Sequence, residues 1–151
     1  MDKIKKLYNR IKDVALSQEY LELGRIEHME LLYPLQKLEF EEWEKISDIV
    51  ADWTQEQRQV LADSLIQING NKESNYDISA LYGHIFTLSN DLNAESMLEN
   101  FDFIENGVSK NVQLIDGLMN RLKNLEGKTK IDNELSSEYK LINKLYNNAI
   151  C

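Results

Sequence analysis

Apolar residues recur at intervals of three and four along nearly the whole chain, and that periodicity leaves little room for any fold but a helical one. Ile4, Leu7, Tyr8, Ile11, Val14 and Ala15 share one helical face. A second stretch carries Ile26, Met29, Leu32 and Tyr33. Pro34 should end or kink it, because proline lacks the amide donor. A third carries Phe40, Trp43, Ile46, Val50 and Trp53. Thr54-Gln55-Glu56-Gln57 reads as a capping box that opens a fourth helix with Leu61, Leu65 and Ile68, closed by Asn69-Gly70. Asp77 is placed to cap a fifth helix with Ile78, Leu81, Tyr82, Ile85, Phe86 and Leu88. Asn93 is placed to cap a sixth, with Met97, Leu98, Phe101 and Ile104, closed by Asn106-Gly107. Ser109 would cap a seventh that bears Val112, Ile115, Leu118, Met119, Leu122 and Leu125 and stops near Gly127. Asp132 would cap the last, with Leu135, Tyr139, Ile142, Leu145 and Tyr146. Gly83 to Leu88 has a strand-like composition, but its flanks keep the helical period.

The expected fold is therefore all-α, with about eight helices and no sheet. At 151 residues it is expected to form a single helical domain, 1–151. The helices are expected to stack as antiparallel pairs or to form an irregular bundle. A shift of 37 residues lays Ile78, Leu81, Tyr82, Ile85 and Leu88 over Ile115, Leu118, Met119, Leu122 and Leu125. Helix-pair repeats run from about 34 to about 47 residues, so the period suits stacked pairs. Any two amphipathic helices can also be slid into such a register.

Charge is unevenly placed. The formal net charge is −9, yet residues 1–18 carry five bases against two acids. Residues 19–52 carry ten acids against three bases, and so do residues 53–120. Such a surface repels duplex nucleic acid, whose affinity comes from Lys and Arg neutralising phosphates. It attracts and steers a basic protein partner. No intramolecular disulfide or paired-cysteine zinc site is possible, since Cys151 is the only cysteine. No apolar segment of the kind a secretory signal requires follows Lys3, Lys5 and Lys6. The uncharged run Ile78 to Asn90 has 13 residues, too few to span a bilayer. The expectation is a cytoplasmic protein that engages neither membrane nor nucleic acid.

Catalytic signatures are missing from the sequence. Positions three and four away from His28 hold Gly24, Arg25, Leu31 and Leu32, and those around His84 hold Ala80, Leu81, Thr87 and Leu88. Neither histidine has a second ligand at helical spacing, so no metal site is expected, and His84 reads as a packing residue. No Gly-x-Ser-x-Gly, Walker loop or Gly-x-Gly-x-x-Gly occurs. Carboxylates are abundant, but none is singled out as a catalytic pair. The expectation is no enzyme and no cofactor.

The third helix holds the most unusual local pattern. Glu41, Glu44, Asp48 and Asp52 fall at spacings of three, four and four, a continuous acidic stripe, with Glu42 beside it. Like charges at i,i+4 cost a helix roughly 0.2–0.5 kcal/mol per pair. Phe40, Trp43, Val50 and Trp53 lie opposite and are assigned to the core. The stripe reads either as a solvated face or as a docking surface for a basic partner. Asp91, Glu95 and Asp102 offer an alternative acidic surface.

The run Trp53-Thr54-Gln55-Glu56-Gln57 to Ile68, then Asp77-Ile78-Ser79-Ala80-Leu81-Tyr82 and Leu92-Asn93-Ala94-Glu95-Ser96-Met97-Leu98, resembles small HEAT-like helical repeat proteins. Short length, acidity and the lack of catalytic residues are similar to bacterial immunity proteins that neutralise polymorphic toxins. The resemblance covers residues 53–125 and carries over no site residue. It implies stoichiometric binding to a toxin domain, often a basic nuclease, by occlusion of its active site. The alternative is a structural or regulatory helical module of a larger complex. A third class, a small helical hydrolase, would need a polar pocket that the sequence does not announce.

Overall fold

The computed structural model describes residues 3–16, 29–68, 76–106, 112–128 and 136–150. Among the described residues the fold is all-α, with eight α-helices and no strand. The chain divides into two compact units, Met1–Ile78 and Ser79–Cys151. His28, which the sequence leaves without a second ligand, and Gly70, Gly107, Ser109 and Asp132, to which it assigns helix-capping or helix-closing roles, lie outside the described residues.

The first unit holds α1 (Lys3–Ala15), α2 (Met29–Gln36), α3 (Phe40–Ile49), a 3-10 turn (Val50–Asp52) and α4 (Gln55–Ile68). α1 packs on both α2 and α4, and α2 packs on α4. The stripe Leu7, Ile11 and Ala15 is buried, as its spacing of four requires. Leu35, Trp43, Ile46, Val60, Leu61 and Leu65 complete this core at 0% exposure. Each such side chain stabilises the fold by about 1.5–3 kcal/mol through its removal from water. α2 runs past Pro34 to Gln36. It then closes through Lys37 N–H to Pro34 O and Leu38 N–H to Leu35 O, both 3.2 Å, a tightened last turn that follows a proline lying inside the helix.

The Thr54–Gln57 capping box forms as its sequence predicts. Thr54 N–H donates to Gln57 Oε1 at 3.0 Å, and Gln57 N–H donates to Thr54 Oγ1 at 3.2 Å. The same Oε1 accepts from Tyr8 Oη at 3.2 Å, which ties α1 to the start of α4. Tyr8 also sets its ring against Trp53, with centroids 5.2 Å apart and planes tilted by 60°. Arg58 Nη1 donates to Trp53 O at 2.6 Å and to Ala51 O at 3.2 Å, satisfying carbonyls at the end of the 3-10 turn.

The second unit is built on α5 (Ile78–Leu88), α6 (Asp91–Met97), a 3-10 segment (Leu98–Asn106), α7 (Val112–Lys128) and α8 (Ser136–Ile150). Here the structure corrects two expectations. The cap of α6 is Asn90, whose side chain accepts from Asn93 N–H at 2.8 Å; Asn93 lies inside the helix. The sixth helix is also not continuous, since Asn100 leaves helical geometry at φ −117°, ψ 24°. Phe101, Phe103 and Ile104 are all buried, and one α-helical face cannot point all three inward. The 3-10 segment does so, with Phe101 against Phe86 (5.2 Å) and Phe103 against Tyr82 (5.4 Å), both edge-on. Tyr82 Oη donates to Met97 O at 3.0 Å.

The strand-like run Gly83 to Leu88 is helical. A Cβ at Gly83 would stand 3.4 Å from Leu118 Cδ2, an ordinary packing distance, so Gly83 faces the Leu118 side chain of α7 without a gap. α7 packs on α8. Arg121 Nη2 donates to Ser89 O and to Asp91 Oδ1, each at 2.8 Å, and so fastens α7 to the α5–α6 turn. The residues superposed by the 37-residue shift are buried on both helices, apart from the half-buried Leu88 and Met119.

Candidate functional site

The acidic stripe lies on α3, whose orientation follows from its apolar face. Trp43 and Ile46 are fully buried, and Val50 and Trp53 follow them into the core from the 3-10 turn. Phe40, assigned to the same face by the sequence, is instead 41% exposed. It opens the helix at its rim, where the core no longer covers it, and its ring meets Tyr76 edge-on at 5.5 Å.

Glu41, Glu44 and Asp48 are exposed and line an open groove of about 390 Å³ together with Lys45, Ser47 and Tyr76. Tyr76 forms the groove's aromatic wall. Its ring stacks on Trp43 with centroids 5.8 Å apart and planes at 8°. Its hydroxyl is hydrogen-bonded to Ser47. Burial raises the Tyr76 pKa, and the neighbouring carboxylates of Asp77, Glu44 and Asp48 raise it further, against the opposing effect of Ser47. The phenol therefore stays a neutral hydrogen-bonding group within a negative field.

The other stripe residues sit apart from the groove. Glu42 is half-buried, and its Oε1 accepts from Glu39 N–H at 2.9 Å, a backward cap on its own helix. That carboxylate also lies 3.6 Å from Lys3 Nζ. Asp52 is exposed, but the 3-10 turn carries it off the α-helical register of the stripe. Glu41 sits in the first turn, where the helix dipole favours an acid. Glu44 and Asp48 have no such benefit, and as a like-charge i,i+4 pair they cost the helix roughly 0.2–0.5 kcal/mol.

Tyr76 escaped the sequence reading because it belongs to no apolar period; it stands in the polar run Asn75-Tyr76-Asp77. Elsewhere, His84 is half-buried on α5, and burial lowers its pKa, as suits a packing histidine. Among the described residues no group of three or more His, Cys, Asp or Glu side chains could hold a metal ion. Among them, too, no helix is long and apolar enough to cross a membrane. The chain matches no family model, no curated protein and no solved structure.

Proposed function

We propose that the chain is a non-catalytic binding module that docks a basic protein through the groove of Glu41, Glu44 and Asp48. One observation carries this reading. Two exposed like charges, Glu44 and Asp48, flank a neutral, aromatic-stacked Tyr76 hydroxyl, beside the exposed ring of Phe40. Negative charge draws the partner in, and the aromatic groups supply apolar contact once it arrives. The finer version follows the resemblance of residues 53–125 to HEAT-like immunity proteins: the partner is a cationic toxin domain that the chain neutralises in the cytoplasm.

The test uses affinity capture from the native host with the wild-type chain and with E44K/D48K, each at two salt concentrations. The expected result is a basic partner held by the wild type and lost by the variant. Co-expression should then protect cells from that partner. Capture by both proteins alike would refute the acidic groove as the docking surface, and failure to protect would refute the immunity role alone.

A further inference from the structure

The first unit carries a second groove of opposite sign. It is about 250 Å³ in volume and lies between α1 and the end of α2. Leu7 and Leu38, both buried, form its floor, and Tyr33 and Pro34 form an apolar wall. Four charged residues line the groove, and all four are cations, in a chain whose net charge is −9. Two of them are engaged at home. Lys3 Nζ lies 3.6 Å from Glu42 Oε1, and Arg10 has an interaction within the chain. The charge presented outward is that of Lys6, exposed on the α1 side, and Lys37, exposed on the α2 side. Tyr33 is 60% exposed, and the Lys37 ammonium lies 5.2 Å from its ring centroid, so cation and ring form one surface.

We propose that this groove docks an acidic segment of a partner protein, one that carries a single apolar side chain between carboxylates. Charge complementarity sets the sign of the occupant. A cationic segment would be repelled by Lys6 and Lys37 from both sides, whereas carboxylates find an ammonium on each. The floor sets the rest. Leu7 and Leu38 lie at the bottom of the groove, so the apolar group that meets them has to come from the partner and reach inward. The volume falls below the roughly 300–1,000 Å³ of small-molecule sites and suits one anchoring side chain. A bilayer is a poor fit, because it takes up apolar groups that protrude, and here they floor a recess. Tyr33, of a residue type enriched at binding hot spots, flanks the anchor. This occupant is opposite in sign to the basic partner of the α3 groove, so the two sites take different ligands and neither reading depends on the other.

Fluorescence anisotropy of a short labelled peptide, glutamates around one central leucine, tests this on the full chain. The wild type should bind it, less tightly as salt rises. Serine in place of the leucine should weaken binding about tenfold, the loss of one buried apolar side chain. K6E/K37E should weaken it about tenfold, as two attractions become repulsions. K5E/K12E makes the same change of net charge at exposed lysines outside the groove and should stay within about twofold of the wild type. Tyr33→Ala, at an exposed site, should weaken binding by removing the wall. Circular dichroism verifies that every variant keeps its helices. A wild type that does not bind, equal binding of the serine peptide, or an affinity unchanged in K6E/K37E or in Tyr33→Ala would each overturn the proposal. So would a loss in K5E/K12E as large as that in K6E/K37E, since net charge alone would then explain binding. Vesicles of phosphatidylserine and phosphatidylcholine that bind the wild type but not K6E/K37E would overturn it by assigning the groove to a membrane. Self-association in sedimentation that K6E/K37E abolishes would overturn it by assigning the groove to a second copy.

Discussion

Gln57 offers a direct measure of what joins α1 to α4. It is 6% exposed, and its Oε1 accepts from Thr54 N–H and from Tyr8 Oη. Gln57→Ala removes both bonds at once. Each bond is worth about 0.5–1.5 kcal/mol, so the substitution should destabilise the protein by about 1–3 kcal/mol. Tyr8→Phe removes one of the two and should cost about 0.5–1.5 kcal/mol. The two losses share a bond, so the double variant should lose less than their sum, with a coupling of about 0.5 kcal/mol or more. Gln57→Glu keeps the acceptor atoms and places a negative charge where the helix dipole favours it by about 0.3–1 kcal/mol. It should therefore lose less than Gln57→Ala at neutral pH. Urea titration followed by far-UV ellipticity gives all four values. A Gln57→Ala cost below about 0.5 kcal/mol, the scale of a surface change, would refute the network, as would strict additivity with Tyr8→Phe.

Three further outcomes follow from the same contacts. Because its pKa is raised, Tyr76 keeps its proton in the folded protein where the unfolded chain has lost its own, so its contribution is intact below about pH 10 and is lost as pH climbs through the folded value. Stability measured from pH 9 upward should therefore fall less in Tyr76→Phe than in the wild type; equal slopes would contradict the assigned cause. Leu65→Ala, at a fully buried site, should cost about 2.7–5 kcal/mol, whereas Leu92→Ala, at a site 76% exposed, should stay within about 0.5 kcal/mol, both read from urea midpoints. The chain should not bind duplex DNA at physiological salt in a gel-shift assay, and a salt-sensitive shift would contradict the acidic surface read from residues 19–120.

The helices were legible because their signal is local. Spacings of three and four put Leu7, Ile11 and Ala15 on one face, and the Thr54–Gln57 box announced where α4 begins. What failed was the assignment that depends on competition. Asn90 and Asn93 are both good caps, and nothing nearby in the chain decides between them. The break at Asn100 comes from the demand that Phe101, Phe103 and Ile104 all reach a core assembled by distant residues. The stripe of Glu41, Glu44 and Asp48 could be read from spacing alone, but the groove could not. Tyr76 reaches it from 28 positions beyond Asp48, and only the stacked Trp43 ring fixes where that phenol sits. Glu42 shows the reverse case. Proximity in sequence sets it beside the stripe, and its hydrogen bond from the Glu39 amide, which no charge pattern announces, gives it work inside its own helix.

Both tryptophans of the chain, Trp43 and Trp53, belong to the Met1–Ile78 unit, and both are buried. The protein thus carries a built-in optical label for one half of itself. Light absorbed selectively by indole at the red edge of the aromatic band reports the solvent exposure of the first unit alone. Ellipticity sums over the helices of both. Coincident melting of the two signals would mean that the halves lose structure in a single cooperative event, and separated midpoints would mean that each carries its own stability. No dye, cysteine label or truncated fragment is needed to ask the question.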